Sequence, residues 1–261
     1  MSRPVARQRL PADATAFHPG SLAALLRLLA GGDLTLIGLL PWSSNYTFLG
    51  QVSGEGQQAP VVYKPTRGER PMWDFPSGTL ARREVAAYAL SRALGWDLVP
   101  PTVWRSGPHG RGSVQLFVAD VDQDGHFFTF HRDPAFQRVL QAVALFDVAA
   151  NNADRKGGHC LRYCADHVLA IDHGICFSVE PKLRTVIWDF AGEPLPADLA
   201  DDLGRLRADL SAAASPTAAQ LGGLLSRGKI AAVLDRVAAL LAAGRFPAPP
   251  EDRRPYPWPL V

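Results

Sequence analysis

The chain has 261 residues, of which 47% are hydrophobic and 20% charged, and its formal net charge is +2. That length can bury one generous core or two packed lobes, and so small a charge argues against a nucleic-acid or anionic-membrane partner held by bulk electrostatics. Cys160, Cys164 and Cys176 crowd into one region rather than forming a secreted disulfide framework. The first twenty residues have no signal-peptide core, and no run approaches the ~20 apolar residues of a membrane span. A cytoplasmic protein without a transmembrane segment is the expectation.

In chain order, residues 1–20 are rich in Pro and Arg. SLAALLRLLAGG (21–32) predicts a short helix capped by Ser21 and ended by Gly31 and Gly32. LTLIGLLPW, YTFLGQVS and VVYKP read as three strands, separated by SSN and GEGQQA turns. After the polar loop TRGERPMWDFPSG, TLARREVAAYALSRALGW predicts a helix with Thr79 as cap and Leu80, Ala87, Leu90 and Leu94 at helical spacing. VPPTVWR and GSVQLFVAD are the next strands. DPAFQRVLQAVALFDVAA opens a helical half, followed by NNADRKGGH, a hairpin CLRYCADHVLAID, and two amphipathic helices within 196–214 and 229–244. The tail FPAPPEDRRPYPWPLV is too Pro-rich for regular structure. The expected division is an extension with a short helix (1–32), a β-rich lobe (33–119), a helical lobe (120–245) and a Pro-rich tail (246–261).

NNADRKGGH (151–159) holds far more polar chemistry than a helix exit needs, since one Gly or Asn suffices for a left-handed cap. It falls in line with three other positions. Lys64 ends the strand VVYK, Glu84 lies on the following helix, Asp154 sits in this loop, and Asp172 follows the strand VLAI. Phosphoryl transfer from ATP uses such parts: a lysine on the phosphates, a helix glutamate holding it, a loop Asp that orients the acceptor hydroxyl, and an Asp carrying the metal. The turn containing Ser43, Ser44 and Asn45 is suited to cover phosphates with backbone N–H groups and hydroxyls.

VYKP (62–65), NNADRKGGH (151–159) and AIDHGICF (170–177) resemble the lysine strand, the D-R-x-x-x-N catalytic loop and the metal-binding I-D-x-G of the phosphatidylinositol 3-/4-kinase-like family. Small bacterial members and the type II phosphatidylinositol 4-kinases look most similar, and persistence-toxin kinases share a similar order of residues. The resemblance spans about residues 33–190 by order of elements and these short motifs by residue. It implies a two-lobed, protein-kinase-like α+β fold with ATP and Mg²⁺ or Mn²⁺ in the cleft. Lys64, Glu84 and Asp154 would be catalytic, Asp172 a metal ligand, and the connector with Gln115, Phe117 and Val118 would face adenine. The acceptor would be a hydroxyl, on a protein Ser or Thr in preference to a lipid.

The chain departs from this pattern at one place. His159 stands where the family has a metal-binding Asn, and imidazole suits softer ions than Mg²⁺. His159 is therefore a candidate ligand for Mn²⁺, or the mark of a nucleotide-binding pseudokinase that regulates a partner without turnover. Two rival assignments carry less weight. WDFAG (188–192) places Asp189 35 positions after Asp154, against 18 for Asp172, and lacks a preceding apolar strand. The Cys/His-rich run 159–176 lacks the paired C-x₂-C knuckles typical of structural zinc. Arg155 is expected to tie its loop down rather than to react.

Overall fold

The computed structural model describes residues 19–40, 45–118, 125–163 and 166–261. The first part is a five-stranded antiparallel sheet with two helices. Helix α1 (Pro19–Gly31) leads into β1 (Asp33–Leu39), β2 (Phe48–Gly54) and β3 (Gln57–Pro65), and α2 (Leu80–Leu94) precedes β4 (Thr102–Gly107) and β5 (Gly110–Leu116). The strand order is β1-β2-β3-β5-β4. Glu55 and Gly56, with φ of 52° and 75°, make the β2–β3 turn, because a two-residue hairpin that follows the twist of its strands needs positive φ at both positions.

Along β3, Val61 and Tyr63 are fully buried, while Lys64 points to the other face, as strand alternation requires. The buried face packs with Leu28 and Leu29 of α1, Val52, Ala59 and Val114. Lys64 is paired with Ser113 of β5, which places it in the interior of the sheet.

The second part is helical. After α3 (Phe127–Phe130) come α4 (Pro134–Ala150), the hairpin β6 (Cys160–Tyr163) and β7 (His167–Ala170), then α5 (Ala197–Ser211), α6 (Pro216–Gly222) and α7 (Arg227–Ala243). Asp133 caps α4 by accepting from the Ala135 N–H at 3.0 Å, with Pro134 in the first turn. Phe136, Leu140, Val143 and Phe146 of α4 join Leu203, Val237 and Leu90 in one continuous core. No helix among the described residues is long and apolar enough to cross a membrane.

Two cap readings change, two short helices are added, and the tail gains contacts. Ser21 is not a cap, because α1 begins at Pro19. Thr79 precedes α2 but makes no capping bond. Its hydroxyl donates to the Pro76 carbonyl at 2.7 Å, and Glu69 Oε1 accepts from the Ala81 N–H at 3.0 Å instead. The short helices α3 and α6 were not legible as periodic segments; α6 is set by Ser215, whose hydroxyl accepts from the Ala218 N–H. The tail is irregular, as expected, yet it is docked: Thr185 and Gly157 donate their N–H groups to Pro255 and Leu260 carbonyls.

Candidate active site

Lys64, Glu84 and Asp172 meet at one point. Lys64 Nζ is hydrogen-bonded to Glu84 Oε1 and lies 3.1 Å from Asp172 Oδ1. Glu84 is buried, and its second oxygen accepts from the His173 N–H at 2.9 Å. The same glutamate thus holds the lysine and the backbone beside Asp172. Burial alone would lower the Lys64 pKa, but the Asp172 and Glu84 carboxylates more than offset it and raise the pKa above the ordinary lysine value. The Lys64 ammonium in turn holds Asp172 well below the usual carboxylate range. Asp172 is in the left-handed region at φ 61° just after β7, and half of its side chain faces solvent.

Asp154 is presented by a heavily braced loop. Asn151 ends α4 in the left-handed conformation at φ 50°, and its amide donates to the carbonyls of Ser178 and Glu180. Asn152 donates to Asp147 at 2.9 Å and accepts from the Asp154 N–H at 3.0 Å. Both asparagines therefore do more than end a helix. Arg155 is fully buried against an equally buried Asp147, with its guanidinium also reaching the Ile171 carbonyl at 2.9 Å and His173 Nε2 at 2.7 Å. Its role is structural: it joins the Asp154 loop to the Asp172 segment.

Burial pushes the Asp154 carboxyl up to about 6, with Lys156 pulling the other way from 3.3 Å. His159 lies between the two acidic residues. Its Nδ1 is 3.0 Å from the Asp154 carbonyl oxygen and its Nε2 is 3.4 Å from Asp172 Oδ2. Burial draws its pKa down to about 4, so at neutral pH the ring is uncharged and only one of its two nitrogens carries a proton.

The other expected residues are placed unevenly. Ser43 and Ser44 lie outside the described residues. Asn45 Oδ1 accepts from the Arg70 N–H at 2.8 Å, joining the end of the β1–β2 connection to the loop after β3. Gln115 is buried with its amide donating to Thr102 at 2.8 Å, and the Phe117 N–H is taken by the Pro60 carbonyl at 2.9 Å. Of the three connector residues, Gln115 and Val118 are buried and Phe117 is half-buried. Asp189 is paired with His131 at 2.9 Å, and Phe190 is buried in the core. Cys160 and Cys176 are buried, and burial pushes the Cys160 thiol up to about 12. Among the described residues no group of three or more His, Cys, Asp or Glu side chains is gathered for a metal.

Sequence reasoning missed Asp147, which looks like one more polar residue on an amphipathic helix, and Lys156. The second had a signal: lysine is scarce among the basic residues of this chain, and Lys156 is two positions from Asp154.

The mycobacterial protein Rv2133c of Mycobacterium tuberculosis is 40% identical over a 271-residue alignment that covers 89% of this chain and 94% of that protein. The chain belongs to the Rv2133c family. The rice protein phosphatidylinositol 4-kinase gamma 4 is 32% identical over 155 residues, about half of this chain and 27% of its own length. No protein-family model matches. Among solved structures, hydra Fam20 superposes with a TM-score of 0.56 over 88% of this chain and 89% of its own, at 14% identity. The Golgi casein kinase with Mn/ADP bound gives 0.53 over 87% and 76%, also at 14% identity. This Rv2133c relative therefore has a two-lobed, kinase-like α+β fold. The finer assignment to the phosphatidylinositol kinases rests on the partial rice match alone.

Proposed function

We propose that the chain is an ATP-dependent kinase that transfers the γ-phosphate to a hydroxyl. The observation that carries this reading is the sharing of Lys64 Nζ between Glu84 and Asp172, with Asp154 on a loop that the buried Arg155–Asp147 ion pair ties to the Asp172 segment. In phosphoryl transfer the protein contributes position and charge rather than covalent chemistry. Lys64 is fixed and cationic, so it clamps phosphate oxygens. Asp154, basic near neutrality, aligns the acceptor O–H and takes its proton as oxygen bonds to the γ-phosphorus and the bond to the bridging oxygen of ADP breaks. Lys156 adds positive charge where the transferred group passes. By the resemblance, the connector of Gln115, Phe117 and Val118 would face the base, and the turn with Ser43, Ser44 and Asn45 would cover the phosphates.

Asp172 and His159 fit a divalent ion. His159 Nδ1 lies against a backbone carbonyl, the usual support of a histidine ligand, and its Nε2 faces Asp172 Oδ2 at 3.4 Å, where an ion would sit between the two donors. Two protein donors leave the remaining positions to phosphate oxygens and water, and one nitrogen donor favours Mn²⁺ over Mg²⁺. The ion, when bound, supplies charge neutralisation across the phosphates. The Golgi casein kinase, a protein of the same fold, was crystallised with Mn/ADP.

We favour a protein hydroxyl as acceptor, since a neighbour of this fold is named for casein. The rice relative favours a phosphoinositide instead. Incubation with γ-labelled ATP, with Mg²⁺ and Mn²⁺ in parallel, tests both against protein acceptors and phosphatidylinositol vesicles. Label on serine or threonine supports the first reading, and label in the lipid the second. ATP binding with no transfer under either metal would make the chain a pseudokinase.

A further inference from the structure

Between the start of α2 and the β4–β5 hairpin lies a pocket of about 340 Å³ that includes none of Lys64, Glu84, Asp154 or Asp172. Arg67, Arg82 and Arg111 line it, with Trp104 and Thr66. The three guanidinium groups come from three separate segments: the turn after β3, the first turn of α2, and β5. All three arginines are exposed, and none has a carboxylate partner among the described residues. Their neighbours in chain and space are otherwise paired: Arg83 serves the Cys176 carbonyl, and Glu69 caps α2.

Two further features point to a ligand. Arg82 lies over the Trp104 ring at 5.3 Å, which orients its guanidinium without neutralising it. Thr66 Oγ1 is buried without a hydrogen-bond partner among the described residues, and buried polar atoms are rarely left so. Gly78, at φ 76°, keeps this wall open, because a side chain there would come within 3.2 Å of the Thr66 methyl. Three unpaired like charges repel one another across a shared cavity. Planar guanidinium forks match phosphate oxygens, and a multiply charged anion relieves the repulsion.

We propose that this pocket binds a phosphate anion of multiple charge, carried by a soluble polyphosphate or by a phosphorylated lipid headgroup. The site is separate from Lys64 and does not depend on phosphoryl transfer taking place. Arg82 is two positions from Glu84 on α2, so the two side chains leave the helix about 200° apart and reach opposite sides of it.

Tripolyphosphate is titrated calorimetrically into the Lys64→Met protein in metal-free buffer, which removes the phosphate clamp of the proposed active site. A second arm measures co-sedimentation with phosphatidylcholine vesicles with and without phosphatidylinositol 4-phosphate. Saturable binding is expected in at least one arm, weakened about tenfold or more by Arg82→Gln with Arg111→Gln. The soluble arm and the vesicle arm separate the two sources. The same arginine variants in otherwise wild-type protein, with thermal melts to verify folding, keep the result readable if Lys64→Met proves unstable. Absence of binding in both arms, or binding that the arginine variants leave unchanged, overturns the proposal.

Discussion

Lys64 Nζ and Asp172 Oδ1, 108 positions apart in sequence, lie 3.1 Å from each other. This contact closes the β-rich part of the molecule onto the helical part, and Glu84 anchors both ends of it.

Lys64→Met is expected to weaken nucleotide binding and to destabilise the fold by roughly 1–3 kcal/mol, since it leaves Glu84 buried with one backbone partner. Burial already raises the Glu84 pKa and Lys64 is its main opposition, so the variant raises it further. Stability from such a group is fully present below its unfolded pKa and is lost as pH rises through its folded pKa. Denaturant melts of the variant should therefore show greater stability at pH 5 than at pH 8, and adding Glu84→Gln should flatten that slope. A flat profile in the single variant would remove Glu84 from the account.

Asp154→Asn should separate binding from chemistry. Labelled transfer is expected to fall about 10²–10⁴-fold with ATP affinity little changed. In the wild type the rate should climb with pH to a plateau above about 6, as Asp154 ionises. Because burial raises this carboxyl, its ionised form opposes folding at neutral pH, so the variant should also be the more stable protein at pH 7–8. That advantage should fade as pH falls from about 6 towards the ordinary carboxylate value. A transfer rate within threefold of wild type in the variant removes Asp154 from the reaction.

His159→Asn replaces a nitrogen donor by an oxygen donor next to Asp172. Paramagnetic titration of Mn²⁺ in the presence of ADP should show weaker Mn²⁺ binding and a relative gain for Mg²⁺ in competition. Identical competition curves would place His159 outside the metal shell.

Arg155→Met leaves the Asp147 carboxyl buried without its cation, with the Asn152 amide as its remaining close partner. A loss of about 3–5 kcal/mol in urea unfolding is expected, and the additional change Asp147→Leu should recover part of it. An effect on turnover without an effect on stability would instead make Arg155 part of the reaction.

Much of this protein is legible in the amino-acid sequence because it depends on short windows. Alternation along VVYK sends Lys64 to the face opposite Val61 and Tyr63, and the turn chemistry of Glu55-Gly56 closes its hairpin. The order Lys64, Glu84, Asp154, Asp172 is likewise a linear property, and the long apolar helix before Asn151 announces the loop that carries Asp154. Other features belong to the tertiary structure alone. Asp147 reads as one polar position on α4 until Arg155 returns to it from the loop. Thr79 has the chemistry of a cap, but Glu69 from the preceding loop reaches the helix N-terminus instead. Gln115 turns to Thr102, and Arg67, Arg82 and Arg111 become one cluster only when three segments converge. The physical reason is the same in each case. Backbone conformation and facial periodicity are set by near neighbours, whereas the partner of a buried charge is chosen by whichever group the folded chain brings within hydrogen-bonding distance.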